Sequence, residues 1–306
     1  MNQLQRPLYG FLLSLLTAVL WGLLPLGLLL CLSGMDSITI TFFRFGFAAL
    51  IVFIVLLSKR SLPKKEILTK RTLYLITGAT VFLLANYISN VIGLRFLNAS
   101  SAQVVLQLAP FSLMLGGIIL YKEHFTRPQL IGALMLIAGL ALFFNQRLPA
   151  IFESETESVL GIVIFVGSAI VWACYALIQK PLLKTLSAQQ LTVIIYSIGA
   201  LMLLPFSQLS SITSLSSIQF YALVFCCLNT LFAYGAFTEA IRVWYASKVS
   251  AVLATQPIFT YISMRIAENI MPESFHQPEL DIWAYCGGLL VVFGSIISAL
   301  GKKQSS

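Results

Sequence analysis

Charge is what this sequence has least of. Of 306 residues only 11 are acidic, 19 are basic and two are histidine, so charged side chains make up 10% of the chain, against about 25% in a soluble domain. Such a composition cannot cover a globular surface with polar groups. Soluble enzymes and nucleic-acid binders are thereby set aside. Cysteine is scarce too: Cys31, Cys174, Cys226, Cys227 and Cys286 all lie in apolar runs. Their spacing matches neither a zinc site nor a disulfide framework. Secreted disulfide scaffolds are excluded, and the five cysteines read as small buried hydrophobes. Both histidines, His124 and His276, fall between apolar runs, and no Asp or Glu lies deep inside one. A membrane enzyme would need such groups for a catalytic constellation, and a proton antiporter with a central carboxylate would need one as its carrier.

What the chain does have is 58% apolar residues and a mean hydropathy of +0.92. Its solvent is lipid. A helix crosses the hydrocarbon core with roughly 20 residues, so this length allows at most about a dozen crossings and no separate soluble domain. Ten apolar segments are found, at about 8–32, 38–58, 72–94, 99–121, 129–146, 159–179, 190–207, 217–238, 246–267 and 281–301. Each is expected to be one continuous helix, because lipid-exposed backbone must satisfy its hydrogen bonds internally. The first segment is longer than a signal-peptide core and lacks a small-x-small cleavage pattern. It is expected to stay as a membrane anchor.

Basic residues orient the chain. With the N-terminus in the cytoplasm, fifteen of the nineteen fall on the cytoplasmic side, among them the cluster Lys59, Arg60, Lys64, Lys65, Lys70 and Arg71. Arg95, Arg147 and Arg265 fall outside, and Arg44 lies within the second segment. The net charge of +8 therefore needs no nucleic-acid partner, and both termini are expected in the cytoplasm.

The chain also repeats itself. At a shift of 151, Gly10, Ala18, Trp21, Leu26, Thr41, Ala49 and Leu50 meet Gly161, Ala169, Trp172, Leu177, Thr192, Ala200 and Leu201. At a shift of 147, Tyr87, Arg95, Ala99, Ser100, Val105, Leu106 and Pro110 meet Tyr234, Arg242, Ala246, Ser247, Val252, Leu253 and Pro257. Gly132 and Gly139 are echoed by Gly287 and Gly294. Residues 1–150 and 151–306 are read as two repeats of five helices. An odd number of crossings places equivalent positions on opposite sides of the membrane, which is the inverted-topology arrangement.

On these residues the chain resembles the drug/metabolite transporter superfamily, in its ten-helix form built of two EamA-type repeats. Trp21 and Trp172, Arg44-Phe45 with Ala48, Ala99-Ser100 to Pro110, Ala246-Ser247 to Pro257, Glu123 before the Gly132 and Gly139 pair, and Glu268 before Gly287 and Gly294 carry the likeness. The resemblance implies a multi-pass transporter of the plasma or bacterial inner membrane, often an exporter of amino acids or other small metabolites. Its central cavity would be lined by helices 1, 3, 4, 6, 8 and 9. Arg44 departs from the duplication, with Ile195 at its equivalent position.

Polar groups in lipid are costly and mark candidate sites. Asn86, Tyr87 and Asn90 in the third segment, and Gln103 and Gln107 in the fourth, have i, i+4 amide pairs that share a helical face. They read as a cavity lining or as interhelical glue. Asn229 and Tyr234 in the eighth segment, and Gln256 in the ninth, are their counterparts in the second half. Trp21 and Trp172, about 13 residues into their segments, lie too deep for an interfacial belt. With Tyr175, Gln179, Tyr87 and Tyr234 they would form an aromatic wall suited to apolar or aromatic substrates. Pro110 and Pro257 each remove a backbone donor in mid-helix and read as kinks or gates. Arg44, roughly 9 Å into its helix, reads foremost as a structural charge that snorkels or pairs, with a substrate carboxylate as the alternative. Gly10, Ser14, Ala18 and Gly22 form a small-residue stripe for close helix approach. Glu123, Glu239 and Glu268 stand at helix ends.

The composition points to an all-α polytopic membrane protein, and the inverted repeat together with the resemblance implies that it moves a small organic molecule by alternating access. No cofactor or metal is called for. The expected partners are membrane lipids and a small-molecule substrate, and a monomer suffices although a homodimer is compatible. A lipid flippase or an exporter of hydrophobic cations is the runner-up, distinguished by the size and polarity of the cavity. A membrane enzyme ranks behind both.

Overall fold

The computed structural model describes residues 7–63, 69–121, 126–143, 156–244, 249, 252–273, 275 and 280–300. Among them there are helices and turns and no strand. In chain order they are α1 (Pro7–Leu32), α2 (Ser37–Ser58), α3 (Lys70–Gly93), α4 (Ala99–Val105), α5 (Leu108–Tyr121), α6 (Arg127–Phe143), α7 (Thr156–Leu182), α8 (Ala188–Leu203), α9 (Ser217–Val243), α10 (Gln256–Ile270) and α11 (Ile282–Leu300), with short 3-10 turns between α8 and α9. Helices α1, α2, α3, α7, α8 and α9 are long and apolar enough to cross a membrane, and α6 and α11 are shorter apolar helices. The outward side chains support this: Leu50, Phe53, Ile54 and Leu57 of α2 are exposed, an apolar row suited to lipid.

Helix starts follow local chemistry. Asp36 accepts from the amides of Ile38 and Thr39, and Asn98 accepts from that of Ser101. Ser187 with Gln190, and Ser216 with Gln219, form capping boxes, each satisfying two otherwise orphaned amides. The same glutamines reach on to the other half of the chain, Gln190 Nε2 to Ser61 O and Gln219 Nε2 to Ser33 Oγ.

The fourth segment is not one helix. It stops at Val105 and restarts at Leu108, with i→i−3 bonds from the amides of Gln107 and Ala109 across the break. The ninth shows the same interruption among its described residues, a turn at Ala254 and Thr255 before α10. Pro110 is the third residue of α5 and Pro257 the second of α10. The prolines open a helix, where a missing amide costs nothing, and do not kink one at its middle.

Packing follows the sequence shifts. α1 lies against α9 and α10, α7 lies against α3 and α5, and α2 packs on α8. The opening helix of each half thus rests on the third helix of the other. α6 and α11 pair along glycines: a Cβ on Gly139 would stand 2.8 Å from Gly287 O, and one on Gly294 would stand 2.7 Å from Gly132 O. Only glycine permits backbones this close. On α1 the small-residue stripe does similar work, with Ser14 and Ala18 fully buried and Gly22 O accepting from Thr260 Oγ1 of α10 at 2.7 Å. Cys31, Cys226 and Cys227 are buried and Cys174 half-buried, whereas Cys286 is exposed on the outer face of α11. That last position corrects the expectation that all five are internal: an apolar run in lipid has an outward face as well.

Candidate functional site

A cavity of about 230 Å³ lies where α1, α2, α3, α4, α7, α9 and α10 converge. Trp21 reaches it from α1, Asn86, Tyr87 and Asn90 from α3, and Gln103 and Gln107 from α4 and the turn that ends it. Trp172, Tyr234 and Gln256 complete the wall from α7, α9 and the start of α10. The expected amide pairs and the duplicated aromatic residues therefore meet in one place. Leu24, Leu28, Phe165 and Phe237 fill in an apolar envelope.

Three expected residues stand elsewhere. Tyr175 is buried in the core between α3, α7 and α8, with Leu191 and Ile195. Gln179 is half-buried nearer the end of α7, away from the lining. Asn229 is turned toward α1, donating from Nδ2 to Leu20 O, so it ties two helices together. Pro257 is buried at the start of α10 and does not line the cavity, while the side chain of Pro110 lies outside the described residues. Also outside them are Glu123, His124, His276, Ala246 and Ser247. Glu268 is paired with Arg265 at 2.8 Å.

The amides divide their tasks. Asn86 Nδ2 donates to Ser168 O at 3.1 Å and to Ser168 Oγ at 2.9 Å, joining α3 to α7, and Asn90 Nδ2 donates back to Asn86 O at 2.9 Å. Glue and lining are thus combined in one residue. Gln103 Nε2 donates to Trp21 O at 3.4 Å. The oxygens Gln103 Oε1 and Gln107 Oε1 are buried and have no hydrogen-bond partner.

Tyr87 and Tyr234 of the lining belong to an aromatic quartet completed by Phe45 and Tyr196. Phe45 stacks on Tyr196 with centroids 4.5 Å apart, and Tyr87 faces Tyr234 at 6.0 Å. Two edge contacts link these pairs, Phe45 to Tyr87 at 4.8 Å and interplanar 80°, and Tyr196 to Tyr234 at 6.4 Å and 81°. Trp21 meets Tyr234 at 5.0 Å. Edge-to-face and offset rings are the favoured aromatic arrangements. Sequence reasoning passed over Tyr196, although it stands 151 residues after Phe45 and continues the same duplication.

Arg44 is the main surprise. It is 3% exposed, lines the cavity, and places its guanidinium 4.5 Å over the Tyr87 ring, with Nε donating to Thr230 Oγ1 at 2.9 Å. It does not snorkel to an interface. Thr230, a residue without any sequence signal, is held for this contact by its own bond to Cys226 O at 2.9 Å. Among the described residues no three His, Cys, Asp or Glu side chains converge on a point that could hold a metal ion. A second space, of about 350 Å³ between α1 and α10, is lined by apolar groups apart from Ser263, whose hydroxyl is already bonded to Thr260 O. It offers no polar feature to a ligand.

A model of the EamA-like transporter family matches this chain twice, over residues 8–145 and 159–300. Over 295 residues the chain is 37% identical to the uncharacterized inner membrane transporter YhbE of Escherichia coli strain K12, covering 96% of this chain and 92% of that protein. Over 299 residues it is 34% identical to an uncharacterized transporter of Haemophilus influenzae, covering 98% and 97%. A solved crystal structure aligns with 96% of this chain and 98% of its own at a TM-score of 0.63 and 15% identity, a likeness of fold alone.

Proposed function

The chain belongs to the EamA-like transporter family, and from that premise we propose a secondary transporter that exports small organic metabolites, amino acids and related compounds foremost. It works across the inner membrane by alternating access. The observation that carries this reading is the cavity: about 230 Å³, walled by both halves of the chain, with amides and aromatic rings turned into it. Pockets for drug-sized ligands run to about 300–1,000 Å³, so this one suits a small metabolite better than a lipid or a bulky drug. An arginine in its wall also disfavours organic cations.

The proposal includes the topology. Two inverted repeats of five crossings, 1–150 and 151–306, with both termini in the cytoplasm, agree with the basic-residue asymmetry. The double family match and the crosswise packing of α1 on α9 and α7 on α3 support it. Such a chain can reach two mirror-related states, each open to one side of the membrane, and the breaks before α5 and α10 are suitable places for the gates.

The test is uptake of radiolabelled amino acids, nucleosides and amines into proteoliposomes, with and without an imposed pH gradient. Controls are Gln107→Ala and the Asn86→Ala, Gln107→Ala double variant. Saturable uptake that falls in both variants is the expected result. If no compound moves, or the variants transport normally, the reading is withdrawn.

A further inference from the structure

We infer that Arg44 is the carboxylate anchor of the cavity, and that Gln103 Oε1 and Gln107 Oε1 receive a donor group on the same molecule. The transported class is then small amino or hydroxy acids with an apolar side chain. This deepens the transporter reading above and rests on it.

Arg44 carries a fixed positive charge in a site that is 97% shielded, its relative exposure being 3%. Charges are buried in proteins only when something compensates them. Here the compensation is partial. One of five N–H donors is used by Thr230 Oγ1, a neutral acceptor, and one face of the guanidinium rests on Tyr87. Among the described residues neither Nη makes a hydrogen bond or an ion pair, and no acid lines the cavity. Four donors of a planar fork are left beside an empty volume, which is the geometry that a carboxylate accepts bidentately. A purely structural role, holding α2 to α9 through Thr230, would use one donor and need no charge.

A second set of polar groups in the same lining presents the opposite chemistry. Gln103 is 5% and Gln107 4% exposed, and both carboxamide oxygens are buried without a partner. The Gln103 amide is oriented by the bond from its nitrogen to Trp21 O, which leaves the oxygen free. The two lie four residues apart, on the same side of α4 and its terminal turn. A buried acceptor left unmade costs about 1–3 kcal/mol, and an ammonium or hydroxyl group is what would satisfy it. Neither oxygen can serve an anion. The same lining includes Leu24, Leu28, Trp172 and Phe237, an apolar surround for a side chain. Anion acceptor, donor acceptor and apolar wall together describe one molecule: a carboxylate, a neighbouring amino or hydroxyl group, and a hydrocarbon or aromatic tail.

The experiment measures uptake into proteoliposomes of matched series built on alanine, leucine and phenylalanine. Each series holds the amino acid, its hydroxy acid, its deaminated acid and its decarboxylated amine. Wild type is expected to move amino and hydroxy acids of at least one series, the deaminated acid less, and the amine least. Arg44→Gln is expected to lose roughly 30-fold or more in kcat/KM for the acids, the loss of a charge-assisted pair, while eluting and melting like wild type. Arg44→Lys, with charge but no fork, should fall between. Gln107→Leu should narrow the preference for the amino over the deaminated acid by about tenfold. Should Arg44→Gln fail to fold, the wild-type series and Gln107→Leu decide. Uptake of amines or nucleosides in preference to acids, equal acid uptake in a folded Arg44→Gln, or an unchanged preference in Gln107→Leu overturns the inference and leaves transport standing. Movement of no compound at all removes the transporter reading itself.

Discussion

In the first half of the chain the cavity wall is built from Arg44, Asn86, Asn90, Gln103 and Gln107. At the positions 151 or 147 residues further on stand Ile195, Ala233, Phe237, Ser250 and Ala254. The exchange runs once in the other direction, with Gln256 following Ala109, while Trp21 with Trp172 and Tyr87 with Tyr234 are kept in both. Backbone packing is duplicated but the polar chemistry is not. The two demands have different origins. The proposed pair of mirror-related states needs matched helices and matched seams, whereas the proposed substrate, with a charged end and an apolar end, has no twofold symmetry to match. Duplication fixes the scaffold, and departures from it mark the ligand.

The comparison is broken most severely by moving the charge. Ile195 is 1% exposed among Leu191, Tyr196 and Phe45, so Ile195→Arg buries an unpartnered cation and is expected to cost about 3 kcal/mol or more. Its measure is the yield of monodisperse protein in detergent. Arg44→Ile removes a desolvated charge together with one bond to Thr230, so its melting temperature should stay near wild type while acid uptake disappears. Equal destabilisation by the two changes would mean that Arg44 is a structural charge after all.

Next in size comes the scaffold, where the halves should behave alike. Gly139→Leu and Gly294→Leu, at counterpart positions, each drive a side chain into facing backbone. Overpacking of this kind costs about 1–3 kcal/mol, and thermal melts should show similar losses for both. A large effect on one side only would break the equivalence of α6 and α11. Smaller still is the glue. Asn86→Ala gives up two donors to Ser168, whereas Asn229→Ala gives up one and also removes an oxygen that has no partner. The first should cost about 1–2 kcal/mol and the second less, read as a difference in melting temperature. Least of all, Trp21→Phe and Trp172→Phe keep an aromatic ring and should each change stability by about 0.5–1 kcal/mol, with parallel effects on uptake.

The sequence makes the helical membrane architecture legible because lipid imposes a long apolar run on each crossing, and it makes much of the wall legible because polar groups are conspicuous there. Depth and direction are harder. Gln179 lies seven residues beyond Trp172, on the same helical face but roughly 10 Å further along, past the end of the cavity. Tyr175 shares a helix with Trp172 but faces the core under α8. The position of Arg44 along α2 is legible in the sequence, yet which way it points is decided by Tyr87 and by Thr230, the latter 186 residues away in sequence. The breaks near Leu106 and Ala254 fall inside long apolar runs, and the polar residues at them, Gln107, Thr255 and Gln256, read as cavity lining or glue. Pro110 and Pro257 are further marks, and a proline reads equally as a kink or as a first turn.

The aromatic quartet carries a mechanical consequence. Phe45 on Tyr196, and Tyr87 on Tyr234, each join a residue to its own counterpart, at shifts of 151 and 147. Swapping the roles of the two halves returns each of these pairs to itself. The Trp21 to Tyr234 contact has no such property and must be traded for Trp172 to Tyr87. In the proposed exchange of roles between the halves the quartet would serve as a fulcrum, about which a rocking motion could turn without unstacking it. A change of ring size there would weigh equally on both ends of the stroke, altering how firmly the protein is held together while leaving the balance between its two positions where it was.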